Sequence, residues 1–251
     1  MHLLPSVKRT ARLTGIAYLG IVVSGLFAEF FVRMSLIDDG DAVATAANVA
    51  DSPGLFRAGI GADALMIALD VLVAFGLYKL LAPFGRRLAM AAAGFRLVQA
   101  AILTGNLFNL VDASNLADDA VATGSASTAE RALDALETHA LMYDVALIAF
   151  GLACLVLGHI LHTSRAVPRI LALGMSATGA VYLIGSFAAV FASGLSTLVD
   201  PLYFIAIIAE PAFAIWLIVK GIDTTRRQAP APRTASQPAL AVGGAEAGSS
   251  R

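Results

Sequence analysis

An all-α, polytopic membrane bundle is the fold class this sequence predicts, with six transmembrane helices and both termini in the cytoplasm. Two observations predict it. Six apolar stretches each approach the ~20 residues needed to cross a hydrocarbon core about 30 Å thick. The connections between them alternate in charge from basic to acidic along the chain. Composition agrees: 58% of the 251 residues are hydrophobic and only 14% charged, too little charge to clothe a soluble domain of this length.

Taken in order, the apolar segments are Gly15–Met34, Gly59–Leu81, Leu88–Val111, Leu141–Leu161, Ile170–Ala192 and Leu202–Lys220. Lys8, Arg9 and Arg12 precede the first. Asp38, Asp39, Asp41 and Asp51, against Arg57, follow it. The short turn after the second holds Lys79, Arg86 and Arg87. The long connection after the third is acidic, with Asp112, Asp118, Asp119, Glu130, Asp134 and Glu137 against Arg131. Arg165 and Arg169 follow the fourth, Asp200 the fifth, and Lys220, Arg226, Arg227 and Arg233 the sixth. Basic residues stay on the cytoplasmic side of a membrane, and every connection gives the same orientation. The place this implies is a bacterial inner membrane. The apolar run of the first segment outlasts a secretory signal, so it reads as an uncleaved anchor.

Residues 1–227 form the six-helix domain. From Gln228 to Arg251 the chain is rich in Ala, Pro, Ser and Gly. Such a tail buries too little apolar surface to offset its ordering entropy and is expected to be disordered. Two outer connections carry helical signals. Asp41 is placed to cap a short helix over Ala42–Ala50, ended by Pro53 and Gly54. Ser127 and Glu130 have capping-box spacing ahead of an extension of the fourth helix. Two strings recur: Thr14-Gly15-x-x-Tyr18-Leu19 as Thr178-Gly179-x-x-Tyr182-Leu183, and Phe75-Gly76-Leu77 as Phe150-Gly151-Leu152.

Charges inside the membrane are the candidates for function, since each costs about 2.5–3.5 kcal/mol at the bilayer centre on insertion scales. They are Glu29 in the first segment, Asp63 and Asp70 in the second, Arg96 in the third, Asp144 in the fourth and Glu210 in the sixth. Gln99, Asn106 and Asn109 add polar groups to the third. Arg96, Gln99 and Asn106 share one helical face. Counting about 1.5 Å per residue from opposite ends, Asp70 and Arg96 reach the same depth on neighbouring helices, which predicts an ion pair. Pro211 deprives the carbonyl one turn before it of its helical donor, beside Glu210. Together these residues describe an outward-facing polar cavity with excess negative charge, suited to a small cationic or polar solute. Arg33 and Arg57 are placed to neutralise some of the acids, and internal pairing for helix register is the competing reading.

Other chemistries find little support. The lysines Lys8, Lys79 and Lys220 fit no phosphate-binding loop. His159 and His162 stand one turn apart with no carboxylate or thiol beside them, so no metal site and no cofactor is expected. His139 and Tyr143 beside Asp144 are the nearest approach to an acid–base group. Cys154 is the single cysteine, which rules out an internal disulfide. No basic run is dense enough for nucleic acid, and the inner-face charges suit anionic lipid head groups instead. Three classes remain: a solute binder or transporter, a sensory or assembly protein whose buried charges are structural, and a lipid-modifying membrane enzyme. The enzyme has no visible nucleophile or metal set. The transporter, with few helices, is expected to work as a homodimer.

Several strings resemble a bacterial membrane family known as the domain of unknown function DUF4386. They are Arg12-Leu-Thr-Gly15-x-x-Tyr18-Leu19, Asp41 with Thr45-Ala-Ala-Asn48-Val, and Leu77-Tyr78-x-Leu-Leu-x-Pro83, then Phe95-Arg96-Leu-Val, Ser164-Arg-x-x-Pro168-Arg and Trp216-Leu-x-x-Lys220-Gly221. The resemblance runs from Lys8 to Gly221. It implies a multi-pass membrane protein and supplies no catalytic residues.

Overall fold

The computed structural model describes residues 5–192 and 199–222, and each element among them is helical. Helix α1 (Pro5–Leu26) runs on through a π-helical stretch, Phe27–Arg33, to a last turn at Met34–Leu36. Helix α2 (Ala42–Asp51) is short. Helix α3 (Pro53–Thr123) is continuous in hydrogen bonding but leaves helical geometry at Gly85, two residues after Pro83. Helices α4 (Ala126–Ser164) and α5 (Arg169–Phe191) follow, then a 3-10 turn at Asp200–Leu202 and α6 (Tyr203–Val219). Among the described residues four helical stretches are long and apolar enough to cross a membrane: Ser6–Leu36, α3, α4 and α5. Helix α6 is equally apolar over its 17 residues. The tail from Gln228 lies outside the described residues.

The break at Gly85 turns α3 into an antiparallel hairpin of two arms, 53–84 and 86–123. Leu81 and Ala89 share a core cluster near the bend. Met66 and Ile67 meet Ala100 and Leu103 halfway along. Phe56 meets Leu110 and Ala113 at the open end. A proline removes a helical N–H and crowds the preceding turn, so the break falls where Pro83 has already weakened the ladder.

The helices close into a ring. Helix α1 packs on α3, α3 on α4, α4 on α5, α5 on α6, and α6 returns to α1. Two contacts of the ring use the recurring strings. A Cβ added to Gly76 would lie 2.1 Å from Thr14 Oγ1, and one added to Gly179 would lie 2.7 Å from the Gly151 carbonyl oxygen. Backbones approach this closely only where a side chain is missing, and such packing holds apolar helices together when lipid removes the hydrophobic drive. Each Thr-Gly-x-x-Tyr string thus packs on a Phe-Gly-Leu string, α1 on α3 and α5 on α4.

The acidic connections are more helical than the sequence reading allows. The acidic stretch after the third apolar segment is no loop: α3 continues to Thr123, Gly124 turns the chain at φ 66°, and α4 begins at once. Ser125, not Ser127, caps α4, its Oγ accepting from the Thr128 N–H at 3.3 Å. Helix α4 therefore extends over 39 residues, about 58 Å at 1.5 Å per residue. Asp41 caps α2 as its spacing predicts, Oδ1 accepting from the Ala44 N–H at 2.9 Å. Pro53 does not merely end α2; it opens α3 from the first turn, where its missing N–H costs nothing.

Candidate functional site

Inside the ring lies a cavity of about 910 Å³. The π-helical stretch of α1 supplies one end of it, through Glu29, Arg33 and the neighbouring Met34. A π turn adds a residue to the helical circuit and shifts the face presented by those after it. Glu29 and Arg33 thereby both reach the cavity wall. Asp39 lines the same end, His139, Tyr143 and Asp144 of α4 line its side, and Asp70, Gln99 and Glu210 line it midway along the bundle.

The charged groups divide into three arrangements. At the cavity end, Arg33 holds Glu29 through Nε at 2.8 Å and Asp63 through Nη1 at 2.7 Å. Asp63 is 2% exposed and does not line the cavity. Midway, Arg96 donates to Asp70 Oδ1 across the α3 hairpin. Its guanidinium lies 4.9 Å from the ring centre of Tyr18 and 4.7 Å from that of Phe150. Arg96 is fully enclosed behind the wall, while Asp70 forms part of the wall itself. A planar cation between two aromatic faces is held by their quadrupoles, so this arginine is a fixed counter-charge. In the third, Tyr182 of α5 donates to Glu210 Oε1 of α6 at 2.6 Å.

Asn106 has another task. Its Nδ2 donates to the His139 carbonyl oxygen at 2.9 Å, and its Oδ1 accepts from Asn109 at 2.9 Å. It clamps the second arm of α3 to α4 and does not line the cavity. His139 does line it, buried, with Nε2 lacking a protein partner among the described residues. Of the candidates read from sequence, the structure brings Glu29, Asp70, Gln99, Asp144 and Glu210 to the cavity wall and leaves Asp63, Arg96, Asn106 and Asn109 off it.

Sequence reasoning missed the aromatic wall. Phe150, Tyr182 and Tyr203 line the cavity beside Glu210. Their rings stand in series, with centroids 5.3 Å apart for the first pair and 5.8 Å for the second. The signal was present for two of them: Tyr182 and Phe150 belong to the recurring Thr-Gly-x-x-Tyr and Phe-Gly-Leu strings. Among the described residues no three His, Cys, Asp or Glu side chains converge as a metal ion requires.

A family model described as a domain of unknown function, DUF4386, matches residues 13–221 of the chain. An uncharacterised protein of Archaeoglobus fulgidus is 28% identical over 167 residues, which span 62% of this chain and 80% of the relative. No solved structure matches the chain.

Proposed function

This chain belongs to the DUF4386 family, and from the geometry of its buried charges we propose that it is a six-crossing membrane protein that binds a small cationic or polar solute. The solute enters from the acidic, outward end, and movement of it across the membrane is the function this reading favours. One observation carries the reading. Among the described residues the 910 Å³ cavity is lined by Glu29, Asp39, Asp70, Asp144 and Glu210, five acids against two arginines, Arg33 on the wall and Arg96 behind it. Asp70, Asp144 and Glu210 stand within apolar helices, where a carboxylate is costly unless cations or donors meet it, and Glu29 and Asp39 stand at the exposed end. The two arms of α3 count as separate crossings, and α6 as the last. Lys8, Arg12, Lys79, Arg86, Arg165 and Lys220 then share the cytoplasmic end, as the distribution of basic residues requires.

A second reading has a specific observation behind it. Asp63 with Arg33, and Asp70 with Arg96, are direct ion pairs. Paired charges of this kind also fix helix register in proteins that turn nothing over. That reading makes the protein a sensory or assembly component.

Water access separates the two. In a Cys154→Ala background, single cysteines at Met66 and Ile67 line the cavity, whereas Leu65 and Leu72 of the same arm face outward from the bundle. A membrane-impermeant thiol reagent applied from outside labels Met66→Cys and Ile67→Cys and spares Leu65→Cys and Leu72→Cys. Unlabelled cavity positions would leave the structural reading in place.

A further inference from the structure

The middle of the cavity has unmet acceptors as well as charge. Asp70 is 5% exposed and Gln99 is 7% exposed. Each lines the cavity, and each keeps a buried oxygen, Asp70 Oδ2 and Gln99 Oε1, with no hydrogen-bond partner among the described residues. Buried acceptors are nearly always satisfied. Glu210 lines the same cavity, one oxygen already taken by Tyr182. Ile207 also lines this wall, and Pro211, four residues on, supplies no N–H to its carbonyl. This part of the site is therefore rich in acceptors.

The other half of the surroundings is aromatic. Phe150, Tyr182 and Tyr203 form a continuous series of rings on the wall beside Glu210. Aromatic faces attract cations and also receive apolar groups. The volume of about 910 Å³ far exceeds what a bare ion fills, and lies within the range of pockets that enclose organic ligands.

We propose that the middle of the cavity takes a protonated organic amine. Its N–H groups donate to Asp70 Oδ2 and Gln99 Oε1, its charge faces Asp70 and Glu210, and its apolar body lies along Phe150, Tyr182 and Tyr203. This inference rests on the solute-binding reading above and narrows it to one class of solute. A small inorganic cation would meet the charge but leave most of the aromatic wall and of the volume empty. A quaternary ammonium would satisfy the charge but leave both acceptor oxygens without a donor.

The test uses the full chain purified in detergent, with binding followed by calorimetry at neutral pH. Four probes are compared: benzylamine, which is protonated there, benzyltrimethylammonium, benzyl alcohol and ammonium chloride. Benzylamine is expected to bind at least about tenfold more tightly than each of the others, the ratio that one hydrogen bond to a charged group supplies. Asp70→Asn also strands Arg96, so Gln99→Leu and Glu210→Gln carry the residue-level test. Each is expected to weaken benzylamine by about tenfold. Benzyl alcohol or benzyltrimethylammonium binding as tightly as benzylamine overturns the proposal, as does unchanged affinity in both variants. Ammonium binding that is lost in Glu210→Gln, with no preference for benzylamine, overturns the amine assignment and leaves the cation-binding reading standing. Binding of none of the four overturns both.

Discussion

The hydroxyl of Tyr182 donates to Glu210 Oε1 at 2.6 Å and so ties α5 to α6 at a carboxylate followed directly by a proline. Helix α6 is the shortest of the apolar helices, and Pro211 interrupts its ladder. This bond therefore holds the carboxylate where its own helix is weakest.

A hydrogen bond to a carboxylate is worth about 1.5–3 kcal/mol. Tyr182→Phe is expected to lower stability by about that amount, read from thermal denaturation of the detergent-purified protein. Glu210→Gln keeps an acceptor for Tyr182 and is expected to fold and insert normally. It should lose any rise in melting temperature that added cations or amines give the wild type. Identical ligand responses in wild type and variant would make Glu210 a structural residue only.

Asp70 and Arg96 should behave as one unit. Removing one partner of a buried ion pair strands the other and costs about 3–5 kcal/mol. Asp70→Asn and Arg96→Gln are each expected to lose stability on that scale, and the double variant to recover much of it. Losses that simply add would mean that the two side chains contribute independently.

Close packing at Gly76 makes a third prediction. A methyl group there would stand 2.1 Å from Thr14 Oγ1 and 3.0 Å from Thr14 Cβ. Overpacking of this kind costs about 1–3 kcal/mol. Gly76→Ala should destabilise the protein by that amount, and Thr14→Ala in the same chain should restore part of it. Gly94→Ala is the control, because nothing lies within 4 Å of a Cβ there.

Topology is checked by reporter fusions. Under the six-crossing arrangement, fusions after Arg87 and after Arg227 report the cytoplasm, and a fusion after Asp119 reports the outside. A cytoplasmic signal at Asp119 would refute that arrangement.

The helices were legible because apolar length is a local property of the chain. Asp41 was readable as a cap for the same reason. The meeting of Asp70 and Arg96 followed from depth alone, since a short turn forces the arms of α3 to run side by side. What stayed hidden depended on rotation about helix axes and on distant partners. Asp63 and Asp70 share a helical face, yet one is held behind the wall by Arg33 and the other lines it. Asn106 reads as a cavity group until His139 of α4 is seen to offer its carbonyl. The Tyr18 and Phe150 faces around Arg96 join three separate helices, and no spacing within one helix announces them. The capping serine of α4 was misplaced by two residues because Ser125 and Ser127 offer nearly the same local chemistry, and only the turn at Gly124 chooses between them.

In the proposed membrane arrangement the bend at Gly85 also governs how the chain is made. Asp70 leaves the ribosome 26 residues before the arginine that neutralises it. Delivered to lipid on a lone helix, that acid would carry an insertion penalty of about 2.5–3.5 kcal/mol. Delivered on a hairpin, it arrives already joined to Arg96. A nascent chain stopped after Leu88 has the acid without its counter-charge, and one stopped after Val111 has both. The smallest piece containing Asp70 that a translocon can release into lipid at low cost is therefore the pair of arms, not the first arm alone.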